Sequence, residues 1–151
     1  MDIGYETSNM KFSLRSAALI FCDNCLLVAK NDNCDCFYTV GGGIKENETS
    51  ENAVIRECFE ETGCHLEVDR LVFIQERFYR VDNIQYQEIV FFYLMKEIDS
   101  NLCNGINTDQ QNEHLYWVPV EKLKNVNLVP KFLKTALEDI PNEITHILSY
   151  D

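Results

Sequence analysis

Four apolar runs punctuate the chain, at residues 17–21, 26–29, 71–74 and 89–95. Each is rich in branched and aromatic side chains and reads as a strand. The longest, 89–95, has no polar alternation and reads as a central strand covered on both faces. The first run closes a strand over residues 12–22. Asp23 and Asn24 then mark a tight turn into 26–29, which makes the pair a hairpin. Residues 31–35 are a loop, and 37–40 a short strand leading into a glycine turn at 41–43. Residues 66–81 and 86–96 are strand-like on either side of a turn at Asp82 and Asn83. Residues 101–112 are a polar loop, 113–118 a strand, and 119–123 a turn into a short helical piece. Residues 130–139 are predicted to be a helix with Phe132, Leu133, Ala136 and Leu137 inward. Residues 144–150 suit either a strand or a short helix. Residues 1–10 are polar, and form a loose or edge segment.

The periodicity changes once, between the glycines and residue 64. Residues 53–62 contain no Gly or Pro. Thr49 or Ser50 is a good N-cap, Glu51 lies in the first turn, and Gly63 suits the left-handed position that ends a helix. A helix is therefore predicted over about 50–62. At about 100° per residue, Glu57, Glu60 and Glu61 share one face, and Ile55, Cys58 and Phe59 turn toward the core. Three carboxylates at these spacings repel one another, so stability alone does not favour the cluster. By itself a glutamate pair on a helix is usually a solvated face.

The spacing changes that assessment. Gly42, five residues, Glu48, seven residues, then Arg56, Glu57, Cys58, Phe59, Glu60, Glu61, Thr62, Gly63 and Cys64 resembles the Nudix box, G-x5-E-x7-R-E-U-x-E-E-x-G-U. Every charged and glycine position is filled. The two bulky apolar positions carry Cys, which can act as a small buried hydrophobe. Trp117, Val118 and Pro119, followed by Glu121 and Leu123, are similar to a segment common near the end of Nudix domains. Thr39 and Val40 stand where many members carry Leu-Pro. The resemblance implies an α/β/α sandwich with a mixed β-sheet. Strands before and after one central helix, followed by a second helix, independently suggest a mixed sheet covered on both faces.

Mg²⁺ or Mn²⁺ prefers oxygen ligands and bridges to phosphate oxygens, which gives the carboxylate cluster a purpose. The resemblance assigns Glu57, Glu60 and Glu61 to the metal, and uses the Glu48–Arg56 pair to brace the loop onto the helix. A main-chain carbonyl near Gly42 can join the coordination. The implied reaction is hydrolysis of a phosphoanhydride in a nucleoside diphosphate linked to another moiety. The general base is one of the box glutamates or an outside carboxylate, for which Glu113 and Glu88 are candidates. Arg15, Arg77 and Arg80 are candidates for the substrate phosphates. Tyr79, with Phe78, Phe37 and Tyr86, is a candidate for stacking a base. Phe78 stands near the place of the proline typical of ADP-ribose hydrolases, and Tyr79 near a tyrosine of dinucleoside-polyphosphate hydrolases. A second class of function is a nucleotide-binding regulatory module that kept the fold without turnover.

Composition narrows the partners. The 151 residues suit one domain, 46% are hydrophobic, and the net charge is −12. No basic stripe is present for long nucleic acid, and no apolar run reaches membrane-spanning length. Residues 1–6 lack the basic start and apolar stretch of a signal peptide, so a cytoplasmic protein is expected. The chain is expected to act as a monomer or a homodimer paired through an exposed edge of the first strand. Seven cysteines, an odd number, argue against a disulfide framework. Cys22, Cys25, Cys34 and Cys36 do not have the usual zinc spacing and are expected to be reduced thiols. His65 and His114 are not expected to be ligands, since the box supplies oxygens.

Overall fold

The computed structural model describes residues 1–109 and 113–151. Two mixed β-sheets with a few helices make up the fold. The first sheet contains β1 (Gly4–Glu6), β2 (Met10–Leu19), β6 (Gly41–Gly43), β7 (Val68–Val81), β8 (Ile84–Met95) and β11 (Thr145–Tyr150). Its strand order is β1-β2-β8-β7-β11, with β6 also antiparallel to β2. The second contains β3 (Phe21–Cys22), β4 (Cys25–Asn31), β5 (Phe37–Thr39), β9 (Glu113–Pro119) and β10 (Leu128–Val129). Its order is β10-β5-β4-β3, with β9 antiparallel along β4. The long helix is α1 (Ser50–Thr62), and two short ones are α2 (Ser100–Gly105) and α3 (Leu133–Ala136).

The apolar run at 89–95 lies where its composition demands. β8 sits between β2, to which it is parallel, and β7, to which it is antiparallel. Alternate residues of neighbouring strands feed two separate cores. Ala18, Ile20, Leu27, Ala29, Tyr93 and Met95 pack with Val54 and Cys58 of α1. Ala17, Leu19, Leu26, Val28, Phe73 and Phe92 pack with Leu133 and Leu137. Two covered faces explain why these strands carry no polar alternation. Phe132 meets Phe73 and Phe92 edge-on at centroid distances of 5.2 and 5.4 Å, which docks the segment around α3.

The β3–β4 and β7–β8 hairpins form at the predicted turns. Asp23, Asn24 and Asp82 all take positive φ, the backbone that tight hairpin turns require. Residues 144–150 resolve as strand β11, parallel to β7. Residues 1–10 are not loose. β1 pairs with β2, and the Ile3 amide donates to the Ile44 carbonyl at 2.8 Å.

Five expectations need correction. The strand predicted over 12–22 breaks at Ile20, so its last residues belong to the other sheet. The glycines are strand β6 rather than a turn, because their small cross-section lets them lie close against Ser16 and Ala17. The loop predicted over 101–112 contains α2, capped by the Asp99 carboxylate accepting from the Leu102 amide at 2.8 Å; residues 110–112 lie outside the described residues. The helix predicted over 130–139 is only four residues, with the chain tightening to i→i+3 bonds on both sides. Ile140 precedes Pro141, which disfavours helix there. Finally, Cys34 and Cys36 are joined as a disulfide rather than standing as thiols, their Cα atoms 5.4 Å apart. The loop bends back there, with Asn31 accepting from the Asn33 amide and Lys30 paired to Asp35. Cys22 and Cys58 remain buried thiols, each pushed up to about 12 chiefly by burial.

Candidate active site

Helix α1 is fixed at both ends. The Thr49 hydroxyl accepts from the Asn52 amide at 3.0 Å, and Gly63, at φ 75°, donates its N–H to the Phe59 carbonyl. The Ser16 hydroxyl donates to the Ser50 carbonyl at 2.7 Å, and the Ser50 and Tyr93 hydroxyls are 2.6 Å apart. These two bonds tie the start of α1 to β2 and β8, which sets the rotation of the helix over the sheet. Cys58 is buried, but Phe59, predicted inward, is 45% exposed and stacks on the His65 ring at 4.3 Å. Ala53, Val54, Cys58 and Thr62 form the buried stripe, so Phe59 falls at its edge.

Arg56 then organises the residues around it. Its Nε and Nη2 donate to the two Glu48 carboxylate oxygens at 2.8 and 2.9 Å. Nη1 donates to Glu57 Oε1 at 2.7 Å and lies 3.4 Å from Glu60. Nη2 also donates to the Gly43 carbonyl at 2.9 Å. One planar cation therefore joins the helix, the preceding loop and β6, a geometry that lysine could not reproduce. Glu48 also accepts from the Lys45 amide at 3.0 Å. The Arg56 hydrogen bonds draw the Glu48 carboxyl down to about 2.

A carboxyl lowered in the folded state stabilises the fold above its ordinary value, and that contribution fades as pH falls toward the lowered value. Glu48 therefore contributes fully above about 4.5 and loses its contribution on the way to about 2. Glu48→Gln should melt earlier than wild type at about pH 5, with the difference narrowing by about pH 3. Denaturant titrations of both proteins at the two pH values check this. A constant difference would separate the bracket from acid stability.

The Glu57 carboxylate occupies the space that a side chain at position 42 would take. A Cβ on Gly42 would lie 2.5 Å from Glu57 Cδ. Glu61 accepts from the Gly41 amide at 3.1 Å. Burial, with Glu113 and Glu57 nearby, pushes the Glu61 carboxyl up to about 8, partly opposed by the Gly41 bond and Arg15. Glu113 comes to this side of the molecule from the start of β9. It accepts from the Tyr38 hydroxyl at 2.7 Å, and burial together with that contact raises the Tyr38 hydroxyl well above its ordinary value. Among the described residues, no three His, Cys, Asp or Glu side chains converge on one point. Glu57 and Glu60 turn toward Arg56, and Glu61 toward Gly41. The donor set still fits a hard cation. It offers three carboxylates on one helix face, one of them in a cradle that only glycine leaves open.

A cleft of about 110 Å³ opens beside β6, lined by Arg15, Tyr38, Gly41, Gln75, Arg77, Glu88 and Val129 among others. It brings Arg15 and Glu88 together beside Gly41, on the sheet face whose core includes Ala17, Val90 and Phe92 rather than on the face covered by α1. Arg15 forms no salt bridge among the described residues, though its charge is near enough to lower the Glu61 carboxyl. Arg77 is already engaged within the chain. Its Nε donates to Asp151 at 2.8 Å, Nη1 lies 3.6 Å from Glu88, and the guanidinium sits 4.3 Å from the Tyr79 ring centre. Two carboxylates already answer its charge. Tyr79 stacks on Tyr86 at 4.8 Å, and burial pushes its hydroxyl up to about 12. Arg80 is exposed, opposite Gln85 near the β7–β8 turn, and does not join the box. Tyr38, Gln75 and Asp151 were not singled out from the sequence. Only Gln75 left a trace there, as a polar residue beside an apolar run.

The NUDIX domain family matches residues 12–139. The chain belongs to the Nudix hydrolases, pyrophosphohydrolases that act on nucleoside diphosphate derivatives. Several solved structures share its fold. The mutator MutT protein from Bacillus halodurans is 13% identical, with 91% of this chain and 90% of that one covered at a TM-score of 0.65. The MutT protein from Methanosarcina mazei Go1 is 18% identical, with 85% and 91% covered at 0.63. A UDP-X diphosphatase is 18% identical, with 96% of this chain and 68% of that one covered at 0.61. None of the curated proteins matches the chain. No helix among the described residues is long and apolar enough to cross a membrane.

Proposed function

We propose that the chain is a metal-dependent hydrolase of a small nucleotide, either a nucleoside triphosphate or a nucleoside diphosphate derivative. The observation that carries this reading is the Glu57 carboxylate, seated over Gly42 and held by Arg56 beside Glu60 and Glu61. Glu57, Glu60 and Glu61, with a carbonyl near Gly42, would hold Mg²⁺ or Mn²⁺, which would supply charge to polarise phosphoryl oxygens and lower the pKa of water. The protein's own groups do the rest. Arg56 and Glu48 hold the loop and helix in register. Arg15, which lines the cleft and forms no salt bridge among the described residues, binds a phosphate oxygen. Glu113, oriented by the Tyr38 hydroxyl and close enough to influence Glu61, is better placed than Glu88 to accept a proton from water. Glu88 is engaged with Arg77 and Tyr79. The chain's formal charge of −12 repels anionic substrates, so counter-charge at the box is needed for phosphates to approach.

The test is release of phosphate or pyrophosphate from nucleoside triphosphates, ADP-ribose, nucleoside-diphosphate sugars and dinucleoside polyphosphates. Turnover should require Mg²⁺ or Mn²⁺, stop in excess EDTA and return when Mg²⁺ is restored. Undiminished turnover in chelator would remove the metal from the reading. Nucleotide binding with no turnover of any substrate would favour a regulatory module.

A further inference from the structure

The cleft contains a polar group that the hydrolytic residues do not use. Gln75 is fully buried on β7. Its Nε2 donates to the Ser149 hydroxyl at 3.1 Å, while its Oε1 is buried without a hydrogen-bond partner among the described residues. A buried carbonyl left unpaired is unfavourable, and a ligand N–H removes that penalty. Beside Gln75 lie Arg77, Glu88 and Asp151, with side chains only 12–17% exposed. At the inner end of the cleft the Arg77 charge is already answered twice, by Glu88 in the lining and by Asp151, with Arg15 left further along the cleft.

Charge balance argues against phosphate at the inner end. Phosphate offers mainly acceptors, and would face Glu88 and an Arg77 already paired to Asp151. A neutral ring with an N–H beside a carbonyl or ring nitrogen satisfies both Gln75 Oε1 and the Arg77 donors. The volume, about 110 Å³, is below the roughly 300–1,000 Å³ of whole-ligand pockets, and so suits one ring of a larger substrate.

Two of the residues that build this end, Ser149 of β11 and Asp151 just after it, lie beyond the matched residues 12–139. The parallel register places Ser149 against Arg77, and the Asp151 amide donates to the Phe78 carbonyl at 2.9 Å. Resting on the hydrolase reading, we propose that β11 with the residue that follows it, Asp151, is a specificity element. Ser149 positions Gln75 and Asp151 positions Arg77, so that the cleft reads the hydrogen-bonding edge of the substrate's nucleobase. Ser149 and Asp151 are positioning residues, and Gln75 and Arg77 make the contacts.

Binding of adenosine, guanosine, cytidine and uridine monophosphates, and of inorganic phosphate, is measured by calorimetry in chelator. The proteins are wild type, Gln75→Leu, Ser149→Ala, Asp151→Asn and Leu148→Ala, each first checked for a native melting transition. Leu148 lies exposed on the other face of β11 and serves as the control. Wild type should separate the best and worst bases by about tenfold or more in Kd. Gln75→Leu should collapse that ratio. Ser149→Ala and Asp151→Asn should reduce it, with the same change appearing in KM rather than kcat for the triphosphates, and Ser149→Thr should restore it. Leu148→Ala should match wild type. Equal affinity for the four bases, an unchanged ratio in Gln75→Leu, or tighter inorganic phosphate binding in Asp151→Asn that competes with the monophosphates would overturn the proposal. Turnover without base discrimination defeats this inference alone. Base discrimination without turnover defeats the hydrolase reading and leaves the cleft standing.

Discussion

Glu57→Gln is expected to lower turnover by about 10²-fold or more while leaving a folded protein. The side chain keeps its length and can still accept from Arg56 Nη1, now at 2.7 Å, as a neutral oxygen. What disappears is one negative charge from a face that carries Glu60 and Glu61 as well. Loss of a charge-assisted bond costs about 1 kcal/mol, and relief of like-charge repulsion on the helix offsets part of it. The melting temperature should therefore move by no more than about 4 °C. Activity assays beside thermal melts of the two proteins decide the matter. Glu61→Gln should behave in the same way. If both variants turn over like wild type, the carboxylates are not the metal ligands and the proposed mechanism fails.

Gly42→Ala should be almost as damaging by a different route. The new Cβ would lie 2.5 Å from Glu57 Cδ and Oε1 and 2.7 Å from Oε2, so the carboxylate must leave its seat. It is the end of a flexible side chain, and the backbone has no need to move. The expected result is a Mg²⁺ requirement raised by about 10–100-fold with little loss of stability. Gly41→Ala makes the contrast. Its Cβ would meet the Ser16 carbonyl and lie 2.8 Å from Ala17 Cα, both main-chain atoms, so the strand pairing itself must give way. Mg²⁺ titrations of activity, read beside denaturant melts, separate the two. A Gly42→Ala enzyme saturating at the wild-type Mg²⁺ concentration would mean that the Glu57 seat does not matter for the metal.

The parts of the site that were legible in the sequence are those written in local spacing. Helix α1 runs over Ser50–Thr62 because its cap, its unbroken interior and its terminal glycine lie within fifteen residues of one another. The Glu48–Arg56 pair follows from opposite charges at the two ends of that same stretch. The two-sided burial of β8 was legible too, because seven apolar residues in a row leave no face for water. What escaped depends on distant partners. The Asp151–Arg77 bond joins positions 74 residues apart, and no periodicity encodes the β11–β7 register that brings them together. The glycines carry a turn signal in sequence, and only the neighbouring β2 makes them a strand. Phe59 was misplaced because a helical wheel gives an angle and not the width of the covering sheet. The Cys34–Cys36 disulfide was missed because an odd cysteine count argues about the whole chain and says nothing of one bent loop.

The Arg56 bracket has a thermodynamic consequence for how the protein comes into being. A single guanidinium already joins the Glu48 loop, the Glu57 helix and the Gly43 strand through five of the described contacts. The segments proposed to hold the metal are thus assembled by an internal cation of the chain. On that proposal folding and metal loading are separate events, unlike in small metal-knotted domains whose apo forms are unfolded. If the proposed metal reading holds, the chain should show its full melting transition in chelator, before any ion is added.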